Sequence, residues 1–126
     1  MVKTKKKRMI VGGVLIVAVI AVWFIVSEQS SRPGQYDSFA QCITEKGAVF
    51  YGAFWCPHCN TQKEMFGTSM SYVNYVECST PDGRGQTQPC MDKNIEGYPT
   101  WEFADGTRVT GAKSLQELAL RTGCTI

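Results

Sequence analysis

Cys56, Pro57, His58 and Cys59 form the cluster whose residue types and spacing point to covalent chemistry. Two thiols two residues apart reach each other across one helical turn. They can close a disulfide, or open one in another protein. Trp55 precedes them, an apolar run from Ala48 to Phe54 leads in, and a helix-compatible stretch from Thr61 to Phe66 leads out. A strand-to-helix junction with a dithiol at the helix start is the layout expected for thiol–disulfide exchange.

Only a thiolate attacks a disulfide. A sulfur at a helix N-terminus sits where unpaired backbone amides and the helix dipole favour negative charge. Pro57 stiffens the turn and donates no amide, and a protonated His58 adds positive charge beside Cys56. The bland alternatives are an inert structural disulfide or a copper or zinc site built on Cys56, His58 and Cys59. The metal reading is poorly supplied, because His58 is the single histidine of the chain. No metal and no cofactor is expected. Phe50, Tyr51, Phe54, Tyr72, Val73, Tyr75, Trp101 and Phe103 read as core or groove lining rather than cofactor contacts.

The elements that must position this pair begin with the N-terminus. Met9 to Val26 is an 18-residue stretch without a charged side chain, near the lower limit for a membrane-spanning helix. Lys3, Lys5, Lys6, Lys7 and Arg8 precede it, which predicts a cytoplasmic tail over residues 1–8 and export of the remainder. Trp23 and Phe24 fall where aromatic rings suit the far interface. A cleaved signal peptide is the rival, but the flank from Val26 to Ser31 has no Ala-x-Ala-like arrangement. Either way, the residues after about 27 would face an oxidising space where disulfides persist.

Thirteen Lys and Arg stand against eleven Asp and Glu in the whole chain. Five of the positive residues precede residue 9, so the rest holds eight positive and eleven negative side chains, a net of −3. The mild basicity belongs to the membrane signal, and no basic patch suggests nucleic acid.

Residues 27–35 read as a linker, and 36–126 are long enough for one domain with one core. Asp37 or Ser38 is placed to cap a helix running to about Lys46. Ala48 to Phe54 predicts a strand buried on both faces. A helix over Pro57 to Phe66 accepts proline in its first turn. Tyr72 to Glu77 predicts a strand, residues 79–89 a polar loop, and Cys90 to Ile95 one or two helical turns. Thr100 to Ala104 and Thr107 to Thr110 flank Asp105-Gly106, a two-residue hairpin signal. Ser114 caps a last helix over Leu115 to Arg121, with Glu117 completing a capping box. Helix, strand, helix, strand, short helix, hairpin, helix suits an α/β domain with a mixed sheet and helices on both faces.

Phe54-Trp55-Cys56-Pro57-His58-Cys59, followed about 40 residues later by Gly97-Tyr98-Pro99-Thr100, resembles the thioredoxin fold. The run Tyr51 to Cys59, then Val76-Glu77-Cys78, then Gly97 to Trp101, resembles the thioredoxin-like domain found with bacterial vitamin K epoxide reductase homologues. The likeness covers roughly residues 36–123. It implies a four-stranded mixed sheet flanked by helices. It implies a cis Pro99 facing the dithiol, exposing the preceding backbone for strand-like pairing with substrate. Trp55 and Tyr98 would then contact substrate. Cys59 would resolve mixed disulfides formed at Cys56, and a Pro-His interior implies an oxidant more than Gly-Pro does. Many thioredoxins carry a buried carboxylate six residues before the first cysteine; here that position is Phe50. The comparison also suggests that Cys78 and Cys90 pair as a structural staple, with a second redox pair as the alternative. Cys42 and Cys124 lie in the first helix and just after the last. They can clamp the two ends of the domain if those helices share a face of the sheet; free thiols or pairing between molecules are the rivals.

The chain is therefore expected to be a thioredoxin-like α/β domain behind one transmembrane anchor, extracytoplasmic, with exported protein thiols as substrates. Cys56, Pro57, His58, Cys59 and Pro99 are the expected catalytic residues. A vitamin K epoxide reductase-like membrane protein is the partner that resemblance implies for reoxidation. The opposite electron flow, a reductase or isomerase fed by a transmembrane donor, is one rival; a membrane-tethered binding or chaperone module with inert disulfides is the other.

Overall fold

A computed structural model describes residues 2–29 and 33–126. Two compact units divide between Arg32 and Pro33. The first contains helix α1, Val2–Gln29, which extends beyond the expected anchor at both ends. Within it, Met9–Val26 is long and apolar enough to cross a membrane. It has no polar stripe, so no face marks it for packing on a water-facing core. The rings of Trp23 and Phe24 meet edge to face at 5.5 Å near its far end. Residues 30–32 of the expected linker lie outside the described residues.

The second unit carries α2 (Asp37–Glu45), β1 (Val49–Gly52), α3 (Pro57–Phe66), a 3-10 turn over Gly67–Tyr72, β2 (Tyr75–Glu77), α4 (Gln88–Asp92), β3 (Thr100–Glu102), β4 (Arg108–Thr110) and α5 (Leu115–Thr122). The sheet order is β2-β1-β3-β4. β1 runs parallel to β2 and antiparallel to β3, and β3 is antiparallel to β4. This is a mixed, thioredoxin-like sheet.

Strand alternation on β1 divides the core. Phe50 faces a cluster built from Phe39, Ile43, Phe66, Trp101, Phe103 and Leu118, which brings α2, α3 and α5 onto one face. Phe50 stacks on Trp101 at 4.9 Å and meets the edge of Tyr75 at 5.0 Å. Tyr51 faces the opposite way, against Cys78, Cys90 and Ile95 under α4. Since α2 and α5 share a face, Cys42 and Cys124 reach each other and are joined; Cys78 and Cys90 are joined as well. Cys56 and Cys59 remain as free thiols.

Several local expectations need correction. The N-cap of α2 is Tyr36, without a side-chain bond; Asp37 sits in the first turn and folds back to accept the Gly34 amide at 2.8 Å. β1 is shorter than the Ala48–Phe54 run, because Phe54 turns away and gives its amide to Glu77 at 3.1 Å. β2 begins at Tyr75, not Tyr72. Thr44 of α2 donates its hydroxyl to the Tyr72 carbonyl at 2.8 Å and accepts the Asn74 amide at 3.1 Å, holding these residues out of the ladder. The short helix starts earlier, at Gln88. The hairpin turn is wider than two residues. Gly106 donates to the Phe103 carbonyl at 2.8 Å and takes φ 82°, so it supplies a left-handed residue after the turn. Ser114 caps α5 by accepting the Glu117 amide at 3.1 Å, but Glu117 spends its carboxylate on Arg121 at 3.0 Å rather than completing the box.

The Cys42–Cys124 bridge closes a sequence separation of 82 residues. By chain entropy, removing it should destabilise the domain by roughly 2–5 kcal/mol. Urea unfolding of a Cys42→Ala, Cys124→Ala double variant measures this. A loss well under ~1 kcal/mol would mean that the bridge constrains little.

Candidate active site

Cys56 is the N-cap of α3, in extended conformation with φ −78° and ψ 118°. Its sulfur accepts the Cys59 amide at 3.4 Å, taking one of the donors that the first turn leaves without a helical partner. Pro57 follows at the position where a missing amide costs nothing. Pro57 and His58 are exposed, whereas Cys56 keeps 4% of its surface and Cys59 none. The two thiols are thus unequal: one lies at the rim, the other one turn inside.

Burial pushes the Cys59 thiol up to about 12 from its ordinary 9.0; the hydrogen bond and charge of Cys56 push the same way. Ala53 backbone and the charge of Lys63 oppose this. The inner thiol therefore keeps its proton across the neutral range.

The second wall comes from the loop before β3. The Tyr98–Pro99 peptide is cis, and Cys56 donates its S–H to the Tyr98 carbonyl at 3.7 Å. Thr100 donates its hydroxyl to the Gly97 carbonyl at 2.7 Å, and Gly111 gives its amide to the Pro99 carbonyl at 2.8 Å, so the loop is tied at both ends. Trp55 is 51% exposed beside the dithiol, and its ring meets the Tyr98 ring edge to face at 6.0 Å. The structure thus gathers Trp55, Cys56, Pro57, His58, Cys59, Tyr98 and Pro99 in one place.

A third wall escaped the sequence reading. Trp55 Nε1 donates to Ser79 Oγ at 2.9 Å. Glu77 Oε1 accepts the amides of both Phe54 and Ser79, at 3.1 and 2.9 Å. Gln86 donates to the Tyr98 hydroxyl at 2.8 Å and to the Ile95 carbonyl at 2.7 Å. The polar loop stapled by Cys78–Cys90 therefore frames the dithiol. A charged Glu77 directly before a cysteine, in a strand otherwise suited to burial, was the available signal. Cys42–Cys124 serves α2 and α5 instead.

The arrangement can cycle a disulfide between Cys56 and Cys59, with attack from outside confined to Cys56. No family model matches the chain. It is 44% identical over 103 residues to the thiol-disulfide oxidoreductase LTO1 of Arabidopsis thaliana. The alignment takes in 77% of this chain and 27% of that protein, so the chain spans about a quarter of its length.

Because folding raises the Cys59 pKa, its contribution to stability is complete below pH 9.0 and is lost as pH climbs towards about 12. In urea titrations over that window, the reduced protein should lose stability relative to a Cys59→Ala variant. Parallel curves for the two would contradict the assigned cause.

Proposed function

We propose that the chain is a membrane-anchored thiol–disulfide oxidoreductase that acts outside the cytoplasmic membrane as a dithiol oxidase. One observation carries the reading: a dithiol caps α3 with its outer sulfur bonded to the Cys59 amide and facing the carbonyl before a cis proline. The 44% identity to a protein named as a thiol-disulfide oxidoreductase supports the reaction class. The apolar helix and its basic leader support anchoring with the N-terminus in the cytoplasm.

In the oxidising half-reaction, Cys56 and Cys59 begin as a disulfide. A substrate thiolate attacks the Cys56 sulfur. A substrate–Cys56 bond forms, and the Cys56–Cys59 bond breaks with its electron pair passing to Cys59. Cys59 takes up a proton. A second substrate thiolate then attacks the substrate sulfur, expelling Cys56 as thiolate and leaving a substrate disulfide. Two electrons now reside on the protein dithiol. Exported proteins with paired cysteines are the substrate class. Reoxidation falls to a vitamin K epoxide reductase-like membrane protein, and the anchor keeps donor and acceptor in one plane.

Two measurements test this. Equilibration with glutathione should place the dithiol near about −120 mV; a value near about −270 mV would reverse the flow and make the chain a reductase. A Cys59→Ala variant should accumulate mixed disulfides with exported proteins through Cys56. If Cys56 and Cys59 both resist alkylation after mild reduction, the site is inert and the chain is a tethered binding module.

A further inference from the structure

Cys59 lies under the end of β1, and the space there is tight. A Cβ on Gly52 would stand 3.1 Å from Cys59 Sγ and 2.9 Å from Tyr75 Cε2. The Tyr75 ring thus shares with Cys59 the narrow space over Gly52. Lys63 lies four residues beyond Cys59, on the same side of α3. It is half-buried, and its Nζ sits over the Tyr75 ring, 4.0 Å from the centroid. The Tyr75 hydroxyl is in turn held by Glu77 Oε2 at 2.7 Å. Glu77, Tyr75 and Lys63 form a continuous support ending on the Cys59 side of the helix.

We propose that Lys63, fixed on the face of Tyr75, is the positioning cation of Cys59. It supports the negative charge on the inner sulfur when the Cys56–Cys59 bond breaks, and again when Cys59 attacks to re-form it. The inference rests on the dithiol chemistry proposed above. A compensating cation matters here because Phe50 occupies the sheet position beside Tyr75, and it brings no charge. The remaining groups facing Cys59 are the Cys56 thiol at the helix cap, the Ala53 backbone and the Tyr75 ring with Glu77 behind it. His58 stands exposed on the first turn. Lys63 is the group among these that lowers the Cys59 pKa by charge. A fixed ammonium is worth more here than in water, since the inner sulfur is removed from solvent.

The resolving step isolates this role. The reduced full-length protein is mixed with oxidised glutathione; the Cys56 thiolate attacks one of its sulfurs, the glutathione S–S bond breaks, and one glutathione leaves as thiolate, giving a Cys56–glutathione mixed disulfide. The Cys59 thiolate then attacks the Cys56 sulfur and expels glutathione as thiolate, closing Cys56–Cys59. Acid quenching followed by mass measurement, between pH 5 and 10, reads the rate. Lys63→Met keeps the aliphatic stem and removes the charge. It should slow resolution at pH 7 by about three- to tenfold and move the pH profile to higher pH. Lys63→Arg should restore both, and Tyr75→Leu, which removes the platform, should act in the same direction as Lys63→Met. An unchanged urea midpoint for Lys63→Met would separate the effect from folding. If Lys63→Met resolves at the wild-type rate with the wild-type profile, Lys63 has no such role. If the wild-type protein forms no mixed disulfide, or never resolves it, the dithiol reading itself fails, and this inference with it.

Discussion

The missing side chain at Gly52 is the constraint on which the site depends. Parallel pairing sets Gly52 opposite Glu77 and Phe50 opposite Tyr75, so the Tyr75 ring reaches across the end of β1. Cys59 approaches the same point from α3. Any Cβ on residue 52 would press on both, and a well-packed interior has little room to yield. Glycine there lets the inner thiol sit fully buried against the sheet. That burial is the largest cause of the raised Cys59 pKa, and it is what makes the two thiols unequal. The inequality of the two thiols follows from a single close approach of backbone and side chain.

The second constraint is on the rim. Cys56 stands on a short connection between β1 and α3, and such segments are normally the mobile part of a fold. Here the Phe54 amide and the Trp55 indole are both bound, to Glu77 and to Ser79. Ser79 follows a bridged cysteine, and the loop beyond it is closed at Cys90. The bridge therefore does more than shorten the unfolded chain's reach. It fixes the residues that hold the dithiol loop, and Gln86 from the same loop holds the Tyr98 hydroxyl. A second redox role for Cys78–Cys90 has less to recommend it, since both of these sulfurs belong to residues with no exposed surface.

How much of this was legible follows from sequence distance. The dithiol, its helix and the Ser114 cap depend on residues within four positions of one another, and sequence spacing carries them. The sheet type and the two-faced core followed from the order of elements and the apolar run before Cys56. The late start of β2 did not, because the bonds that delay it come from Thr44, about 30 residues away on α2. The pairing of Cys42 with Cys124 depended on which face α5 takes, and neither helix states that alone. Glu77 looked like an ordinary strand carboxylate; its role depends on two amides that a turn at Phe54 swings towards it. Lys63 and Tyr75 were likewise silent, since a cation over a ring 12 positions away needs the crossover from α3 to β2 in place.

The contacts of Cys56 also differ in what they require of the sulfur. Accepting the Cys59 amide needs only a lone pair, and a disulfide sulfur still has lone pairs. Donating to the Tyr98 carbonyl needs an S–H, and closing the disulfide removes it. In the reduced protein the thiol itself occupies that carbonyl. In the oxidised protein that donor is gone, and the carbonyl lies beside the exposed Trp55. One proton on one sulfur thus links redox state to the groups available for binding.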